Sequence, residues 1–301
     1  MADIETLLAR TSRTFAITIP FLPSPPKREI TVTYLILRIA DTFEDATTWP
    51  QDKRLAALTT LSALLESRSP HEARQISAAW VNAKPCEHHG YLELLGETPR
   101  VLTELDAFDL SRRAVIVHHA RRTITGMASF IRSTREDGCI ALSSKADLQR
   151  YCYVVAGIVG ELLTDLFLDV VPGLAQVERT LRARAAAFGE GLQLVNILKD
   201  EADDARDGRV YLPVAAGRGD VLALARRDLD AATEYVYALQ SAGAPRGVVA
   251  FCAFPVLLAR LTLGEVERRG PGTKVSRSAV ASLLARMNAA LDHGTPAIII
   301  D

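Results

Sequence analysis

Apolar residues recur at helical spacing along almost the whole chain. This spacing predicts α-helices over residues 28–45, 51–66, 71–83, 99–133, 145–169, 175–205, 216–241, 246–269 and 276–292. Pro- and Gly-containing stretches separate most of these segments, and the longest alternating run typical of a strand is RVYLPV at 209–214. No Gly/Ser linker or fixed-period repeat divides the sequence. We therefore expect an all-α protein whose residues 1–301 form a single large helical domain.

The composition of the chain argues against several classes of function. The chain has 35 Lys and Arg against 36 Asp and Glu, so no excess of positive charge indicates a nucleic-acid partner. Its four cysteines are scattered and form no C-x-x-C motif, a pattern typical of reduced thiols. We therefore expect a cytoplasmic location. The first residues lack the basic-then-apolar order of a secretion signal. No run approaches 18 uncharged apolar residues, so no transmembrane segment is expected.

A first acidic cluster follows the apolar run YLILRIA at 34–40. Asp41, Glu44 and Asp45 come directly after it, and on a helix Asp41 and Asp45 lie one turn apart on a single face. Like charges at that spacing destabilise an exposed helix by a few tenths of a kcal/mol per pair. We therefore expect a positive group beside them.

A second acidic cluster repeats this arrangement about 155 residues later. Asp200, Asp203 and Asp204 follow another apolar segment, and both clusters read D-x-x-(D/E)-D. The polar stripe on the second helix is Gln193, Asn196, Asp200 and Asp204, and the matching stripe on the first is Tyr34, Arg38, Asp41 and Asp45. One such motif alone is usually a solvated helix face, but two copies inside apolar helices favour a shared chemical role.

Paired acidic clusters suit magnesium ions (Mg²⁺) and a diphosphate. Mg²⁺ usually takes one or two carboxylates together with waters and substrate phosphates. The metal neutralises the leaving group as its C–O bond breaks, and the carbocation left behind needs a dry, apolar chamber. The two clusters therefore predict ionisation of a metal-bound diphosphate beside an apolar cavity.

Four ordered motifs resemble the squalene/phytoene synthase family of head-to-head prenyl synthases. They are SRTFAITIPFLP (12–23), YLILRIADTFED (34–45), YCYVVAGIVGELLTDLF (151–167) and LQLVNILKDEADDARDGRVYLP (192–213). The resemblance extends from about residue 8 to 280 and is strongest to bacterial squalene synthases. It implies a helical domain of the isoprenoid (class I terpenoid) synthase type around a central cavity.

The family's site residues map onto this sequence position by position. The implied metal ligands are Asp41, Glu44, Asp45, Asn196, Asp200, Asp203 and Asp204. The implied diphosphate contacts are Ser12, Arg13, Arg38, Arg206 and Arg209. The implied prenyl-cavity residues are Phe15, Val155, Ala156, Val159, Leu163 and Gln193. Tyr34 and Tyr151 match tyrosines near the reacting carbons, and Tyr151 matches the one proposed to handle a proton.

The resemblance implies the condensation of two farnesyl diphosphates through presqualene diphosphate to squalene. ADTFED (40–45) resembles the squalene branch, which uses NADPH as the hydride donor. Lys274 and Arg277 in TKVSR (273–277) are the candidates for the phosphates of NADPH, although no G-x-G-x-x-G fingerprint is present.

Several alternatives remain open at this point. The enzyme could be a phytoene synthase, or could stop at presqualene diphosphate or hydroxysqualene. It could also be a class I terpene cyclase, or a non-catalytic binder of prenyl lipids. A hydrophobic product makes loose peripheral contact with a membrane an expectation. The sequence does not indicate chain length or oligomeric state.

Overall fold

A computed structural model describes residues 3–12, 14–67, 69–133, 140–213 and 215–299. Helices account for most of these residues, and the only strands in the described ranges are two short segments that pair with each other. The predicted all-α class is therefore confirmed. The chain divides into two compact units, Met1–Pro20 with Ser24–Cys139 and Phe21–Pro23 with Ile140–Asp301. The single domain over residues 1–301 and its central cavity stay predictions.

The first unit is built around one long apolar helix. Its α-helices are α1 (Ile4–Thr11), α2 (Phe15–Thr18), α3 (Pro26–Glu44), α4 (Gln51–Ser67), α5 (Pro70–Ala83), α6 (His89–Gly96), α7 (Thr98–Asp106) and α8 (Leu110–Arg132), and a 3₁₀ turn Ile19–Phe21 follows α2. Helices α1, α4, α6, α7 and α8 all pack against α3. Leu35, Ile36 and Ile39 are at most 1% exposed as a result. Core packing thus fixes α3, whose C-terminal end carries the first acidic cluster.

The second unit is built around α11. Its elements are β1 (Ile140–Ala141), α9 (Lys145–Cys152), a π-helical turn (Tyr153–Gly157), α10 (Ile158–Val170), a 3₁₀ turn (Pro172–Val177), α11 (Glu178–Arg206), β2 (Arg209–Val210), α12 (Arg218–Ser241), α13 (Arg246–Arg269) and α14 (Arg277–Asp292). Helix α11 packs along α12 and also contacts α10, α13 and the π-helical turn. Leu181 and Leu198 on α11 are fully buried. The second acidic cluster occupies the last turns of this helix.

Side-chain caps begin several of these helices. The hydroxyl of Ser144 accepts the backbone N–H of Asp147 at 3.1 Å and so caps the helix that carries Tyr151. Ser276 caps α14 in the same way, and Asp3 caps α1. Each cap satisfies an N–H that has no partner within the helix.

Close backbone contact joins α10 and the π-helical turn to α11. A Cβ atom on Gly160 would lie 1.9 Å from the carbonyl oxygen of Ala185, and one on Gly189 would lie 2.0 Å from that of Ala156. Only glycine fits these two positions, because each faces the backbone of the other helix. The two helices therefore touch backbone to backbone.

Two carboxylates influence each other between α11 and α12, the half-buried Glu190 and the buried Asp228. Burial raises the pKa of Glu190 to about 7, and the charge of Asp228 adds to the rise, while Arg227 opposes it and Glu161 on α10 adds a further negative charge. Burial also raises the pKa of Asp228, although its Oδ1 accepts hydrogen bonds from Arg227 at 2.9 and 3.1 Å. Ionisation of Glu190 therefore opposes the packing of these helices.

The predicted helices match the observed ones with two differences: one predicted helix is divided in two, and three short helices were not predicted. The predicted helix over 99–133 is two helices, α7 and α8, because Asp109 adopts an extended backbone conformation. Both helices pack against α3. The short helices α1, α2 and α6 escaped prediction, because a few turns carry too little periodicity.

Among the residues that the structure describes, two helical stretches are long and apolar enough to cross a membrane. Lys145–Val170 and Arg246–Arg269 have mean hydropathies of 1.6 and 1.9, and 61% and 67% of their most apolar windows are buried inside the protein. Charged residues interrupt both stretches, so neither contradicts the expectation that the chain has no transmembrane segment. Such burial is typical of core helices in soluble proteins, so the two stretches are weak evidence for a membrane span.

We predict that Gly160→Ala lowers the free energy of unfolding by about 3 kcal/mol, because its methyl group overlaps the Ala185 carbonyl. Gly264→Ala on α13 is the matched control, since a Cβ there meets no atom within 4 Å. It should raise stability by up to about 1 kcal/mol, because alanine restricts the unfolded chain. Urea denaturation of both variants measures the difference, and equal effects would contradict the backbone contact.

We predict that Glu190→Gln stabilises the protein more at pH 8 than at pH 5. The folded pKa of about 7 lies above the ordinary value of 4.5, so the wild type loses stability as pH rises from 4.5 through 7. Glutamine removes this loss, because it carries no proton to release. Glu178→Gln, on an exposed turn of the same helix, is the matched control. Unfolding curves at both pH values test this, and parallel behaviour of the two variants would refute it.

Candidate active site

The first acidic cluster lies at the C-terminal end of α3. Asp45 caps the helix by donating its backbone N–H to the carbonyl of Asp41 at 2.8 Å. Asp45 is exposed and Asp41 is half-buried, whereas Glu44 is only 4% exposed. Carboxylates at a helix C-terminus are unfavourable, because the helix dipole already places negative charge there. The cluster therefore opposes local stability, as functional groups often do.

A buried arginine on α4 compensates the end of α3. The side chain of Arg54 is 1% exposed, and its Nε donates to the carbonyl of Phe43 at 3.4 Å. Its Nη2 also donates to the carbonyl of Glu44. These bonds satisfy two of the carbonyls that the helix end leaves open, and they bring positive charge to the cluster.

Arg38 is the second positive group at this cluster. Its Nη1 lies 3.2 Å from Oδ2 of Asp41, and its Nε and Nη2 donate to the Tyr34 hydroxyl at 3.2 and 3.1 Å. The guanidinium carbon also lies 5.4 Å from the ring centres of both Tyr34 and Tyr91. Burial acts to lower the pKa of Arg38, but Asp41 and the two phenols raise it above its ordinary value. The positive charge expected from the sequence beside Asp41 is present.

The pKa of Asp41 is raised to about 6. Burial is the main cause, the negative charge of Asp45 adds to the rise, and Arg38 only partly opposes it. A cation near this pair would relieve both effects, because it favours the charged carboxylate.

Thr11 and Phe15, near the N-terminus, contact α3 at Tyr34, beside Arg38. The Tyr34 hydroxyl donates to the carbonyl of Thr11 at 2.8 Å, and the ring of Phe15 lies 5.5 Å from that of Tyr34. The hydroxyl of Ser12 accepts the backbone N–H of Phe15, the first residue of α2, at 3.0 Å. The structure thus brings Ser12, Phe15, Tyr34, Arg38 and Asp41 together in the first unit. Arg13 lies outside the described residues.

The second acidic cluster occupies the C-terminal end of α11. Asp200 and Asp204 are half-buried, while Asp203 and Asn196 are exposed and Gln193 is half-buried. Lys199 Nζ lies 3.0 Å from Oδ2 of Asp200. This end of α11 therefore repeats the first cluster, with acidic groups where the helix dipole is negative.

Two arginines pair with the second cluster. Arg206 pairs with Asp203 one turn earlier on the same helix. Arg209 lies beyond the helix on β2, and its Nη2 approaches Oδ1 of Asp204 at 3.2 Å and Oδ2 of Asp207 at 3.1 Å. Arg209 is the more enclosed of the two, with its side chain 16% exposed against 76% for Arg206.

A short parallel pair of strands holds the segment after α11. Ile140 pairs with Arg209 and Ala141 with Val210. A cavity of about 110 Å³ lies under this segment, lined by Ile197, Glu201, Asp204, Ala205, Arg209, Val210, Tyr211 and Leu212. Acidic, basic and aromatic groups therefore share one small cavity within the second unit.

Tyr151 is buried at the end of α9. It is 3% exposed, and its hydroxyl donates to the hydroxyl of Tyr211 at 3.1 Å. The two rings stack with centroids 4.7 Å apart and planes at 27°. Tyr211 stands in the GRVYLP segment, but the sequence alone could not pair it with a residue 60 positions away.

The predicted cavity residues lie on the π-helical turn and α10. Val155, Ala156 and Val159 are half-buried, and Leu163 is 6% exposed. An apolar face that is only half covered by its own unit can contact a prenyl chain. Their role as substrate wall stays a prediction.

The predicted NADPH residues are exposed near the start of α14. Lys274 precedes this helix and Arg277 is its first residue. The segment before them is held against α11, since the N–H of Gly272 donates to the carbonyl of Lys199 at 2.7 Å. Two exposed cations there suit phosphate groups, and their role also stays a prediction.

Metal ligands remain a hypothesis. Within the part of the chain that the structure describes, no group of three or more His, Cys, Asp or Glu side chains could hold a metal ion by itself. The first cluster belongs to the first unit and the second cluster to the second. The meeting of the two clusters at one site stays a prediction.

Three partners of the site escaped sequence analysis. Arg54 and Tyr91 approach the first cluster from other helices, and Tyr211 contacts Tyr151. Arg54 and Tyr91 stand in sequence contexts that resemble ordinary surface positions. For Tyr211 the only available signal was its position directly after the second cluster.

Comparison with solved structures defines the fold. The chain matches the structure of "TcSQS with ligand, BPH1237" with a TM-score of 0.76 and 25% identity, over 97% of this chain and 88% of that one. The protein therefore has the all-α isoprenoid synthase fold. The squalene/phytoene synthase family model matches residues 8–216, which include both acidic clusters, Tyr151 and Tyr211. The chain belongs to the squalene/phytoene synthase family.

Curated relatives agree with this assignment. The chain is 30% identical over 217 residues to the squalene synthase of Mycosarcoma maydis, covering 71% of this chain and 35% of that protein. It is 32% identical over 199 residues to the lycopaoctaene synthase of Botryococcus braunii, covering 66% and 40%. The matched segments thus span less than half of these relatives. The stronger resemblance to bacterial members stays a prediction.

We predict that Arg54→Met lowers the free energy of unfolding by about 3 kcal/mol or more, because buried carbonyls at the end of α3 lose their donors. Arg121→Met is the matched control. Arg121 pairs with Glu66 in an exposed ion pair at 2.6 Å, and its loss should change stability by less than about 1 kcal/mol. Thermal and urea unfolding measure both, and a mild effect at Arg54 would refute its capping role.

Proposed function

We propose that the protein is a squalene synthase-type farnesyltransferase. It would condense two farnesyl diphosphates through presqualene diphosphate to squalene, with Mg²⁺ and NADPH. One observation carries the proposal: each acidic cluster has an arginine at ion-pair distance, Arg38 with Asp41 and Arg209 with Asp204, both at 3.2 Å. Carboxylates for a metal and guanidinium groups for phosphate oxygens are the two components that a bound metal diphosphate requires.

The donor set of both clusters fits Mg²⁺. It consists of carboxylate oxygens and one amide, and substrate phosphates and waters would complete the coordination. The residues that would hold the metal are Asp41, Glu44 and Asp45 at the first cluster, and Asn196, Asp200, Asp203 and Asp204 at the second. Bound Mg²⁺ would neutralise the diphosphate as its C–O bond breaks.

The chain's own cations would orient the diphosphates. Arg38 is held on three sides by Asp41, Tyr34 and Tyr91, so its fork is already oriented before a substrate binds. Arg209 is similarly enclosed beside Asp204. The residues that would join them are Ser12, Arg13 and Arg206.

Apolar and aromatic groups would protect the carbocation. Phe15 and Tyr34 present adjacent rings in the first unit, and aromatic faces stabilise positive charge. In the second unit Val155, Ala156, Val159, Leu163 and Gln193 would line the prenyl chains and exclude water. Closing the cyclopropane of presqualene diphosphate releases a proton, and Tyr151 matches the family's tyrosine proposed to handle it.

Reduction and location are the remaining parts of the proposal. NADPH would supply a hydride, and Lys274 and Arg277 would hold its phosphates.

The related lycopaoctaene synthase shows 32% identity, close to that of the squalene synthases, so a different final product is the second candidate. The alternative products in this second candidate are phytoene, presqualene diphosphate and hydroxysqualene. We also propose a cytoplasmic location with loose membrane contact, because the product is hydrophobic.

A product assay tests the reaction. Purified protein is incubated with labelled farnesyl diphosphate and Mg²⁺, with and without NADPH, and extracted with hexane. A C30 hydrocarbon that appears only with NADPH supports squalene synthesis. A C15 hydrocarbon would indicate a terpene cyclase, and no diphosphate release would indicate a binder. A parallel reaction with geranylgeranyl diphosphate tests the phytoene branch.

We predict that Asp41→Asn and Asp200→Asn each lower turnover roughly 100-fold, because a charge that binds the metal diphosphate is lost. Unfolding midpoints should stay near that of the wild type. Asp52→Asn and Asp230→Asn are the controls, since both residues are exposed and lie outside the clusters. Steady-state assays at saturating Mg²⁺ measure the effect, and full activity of either cluster variant would argue against the metal assignment.

A further inference from the structure

Tyr211 is a buried tyrosine to which the proposed reaction assigns no role. It directly follows β2 and is 7% exposed. Its hydroxyl accepts the proton of the Tyr151 hydroxyl in the 3.1 Å hydrogen bond, and its ring stacks on that of Tyr151. A tyrosine hydroxyl has one proton and two acceptor lone pairs, so the partner of that proton decides what the hydroxyl presents elsewhere.

The backbone fastens Tyr211 to the segment that leads into Tyr151. Strand β2 pairs in parallel with β1, and the N–H of Leu142 donates to the carbonyl of Val210 at 3.2 Å. The chain then enters α9, which begins at the Ser144 cap and carries Tyr151 in its last turn. Both tyrosines are therefore held by the same small strand pair.

The same strand links Tyr211 to the second acidic cluster. Arg209 and Tyr211 are two residues apart, so in extended backbone their side chains point to the same side. Arg209 reaches Asp204 at 3.2 Å, while Tyr211 reaches Tyr151. Asp204, Arg209 and Tyr211 also line the 110 Å³ cavity. One short segment thus contacts the acidic cluster and the candidate proton-handling tyrosine.

We propose that Tyr211 is the positioning residue of Tyr151. It accepts the Tyr151 proton and so leaves the lone pairs of the Tyr151 oxygen as the groups presented to the substrate. Arg209, two residues earlier in the same segment, sets the position of Tyr211 from the second acidic cluster. This inference rests on the proposed function, since it concerns the step that Tyr151 serves.

The arrangement has a direct chemical consequence. With its proton directed at Tyr211, the Tyr151 oxygen presents negative electron density, which suits a carbocation. Without Tyr211 the hydroxyl rotates, and its O–H can point at the substrate instead. Substrate binding needs neither orientation, so the effect falls on the rate of condensation.

The test is Tyr211→Phe, which keeps the stacked ring and removes only the hydroxyl. We expect kcat for presqualene diphosphate formation to fall roughly tenfold while KM stays unchanged. Tyr235→Phe is the matched control. Tyr235 is another buried tyrosine of the second unit, stacked on Phe188 at 5.0 Å with its hydroxyl 3.0 Å from Thr164. It should lose similar stability and keep wild-type kcat.

A double variant separates positioning from structure. If Tyr211 acts through Tyr151, adding Tyr211→Phe to Tyr151→Phe should cause no further loss of kcat. An equal tenfold loss in both backgrounds would overturn the proposal, and so would wild-type kcat in Tyr211→Phe alone.

A readout without turnover separates this proposal from the proposed function. With 3-fluorotyrosine in place of Tyr151, the ¹⁹F resonance should shift on Tyr211→Phe and stay in place on Tyr235→Phe. An unmoved resonance in both would overturn the positioning role. A wild-type protein that converts no prenyl diphosphate would instead overturn the proposed function, while the ¹⁹F result would still decide whether Tyr211 orients Tyr151.

Discussion

The backbone contact between α10 and α11 is the constraint on which the second unit depends. Gly160 and Gly189 each face a carbonyl of the opposite segment, so no side chain separates the two helices there. Helix α11 ends in the second acidic cluster, and the segment packed against it follows directly after α9, which carries Tyr151 in its last turn. The position of one helix along the other is therefore set by main-chain atoms, which cannot adjust as side chains do. A site carried by such elements is held more rigidly than one on loops.

Both acidic clusters lie where a helix is least able to tolerate them. Helices α3 and α11 each end in carboxylates, at the negative end of the helix dipole. The compensating arginines come from different elements: Arg38 from the same helix, Arg54 from the next helix and Arg209 from the strand that follows. The raised pKa of Asp41 shows that the compensation is incomplete. The carboxylates thus lower the stability of the two helix ends and create a surface that attracts positive charge, as is common at functional sites.

The sequence predicted the helices that carry the site, because α3 and α11 have strong apolar periodicity. It also located both acidic clusters, because the spacing of their residues is visible within a single predicted helix. Arg54 could not be found, because its contacts depend on how α4 turns back against the end of α3. The contact between Tyr151 and Tyr211 depends on the strand pair, whose two residues per strand carry no sequence pattern. The break at Asp109 has no Pro or Gly to mark it. Local pattern thus predicts elements and spacing, whereas these partners arise from tertiary packing.

The π-helical turn at Tyr153–Gly157 makes the length of this segment matter more than its composition. The N–H of Ile158 bonds to the carbonyl of Tyr153, five residues back, so this turn holds one residue more than an α-helical turn. Removing one residue would let an uninterrupted α-helix form. Everything before the turn would then rotate by about 100° relative to α10, and Tyr151 would leave the ring of Tyr211. An insertion or deletion within this turn would therefore disconnect the two halves of the helix from their separate partners.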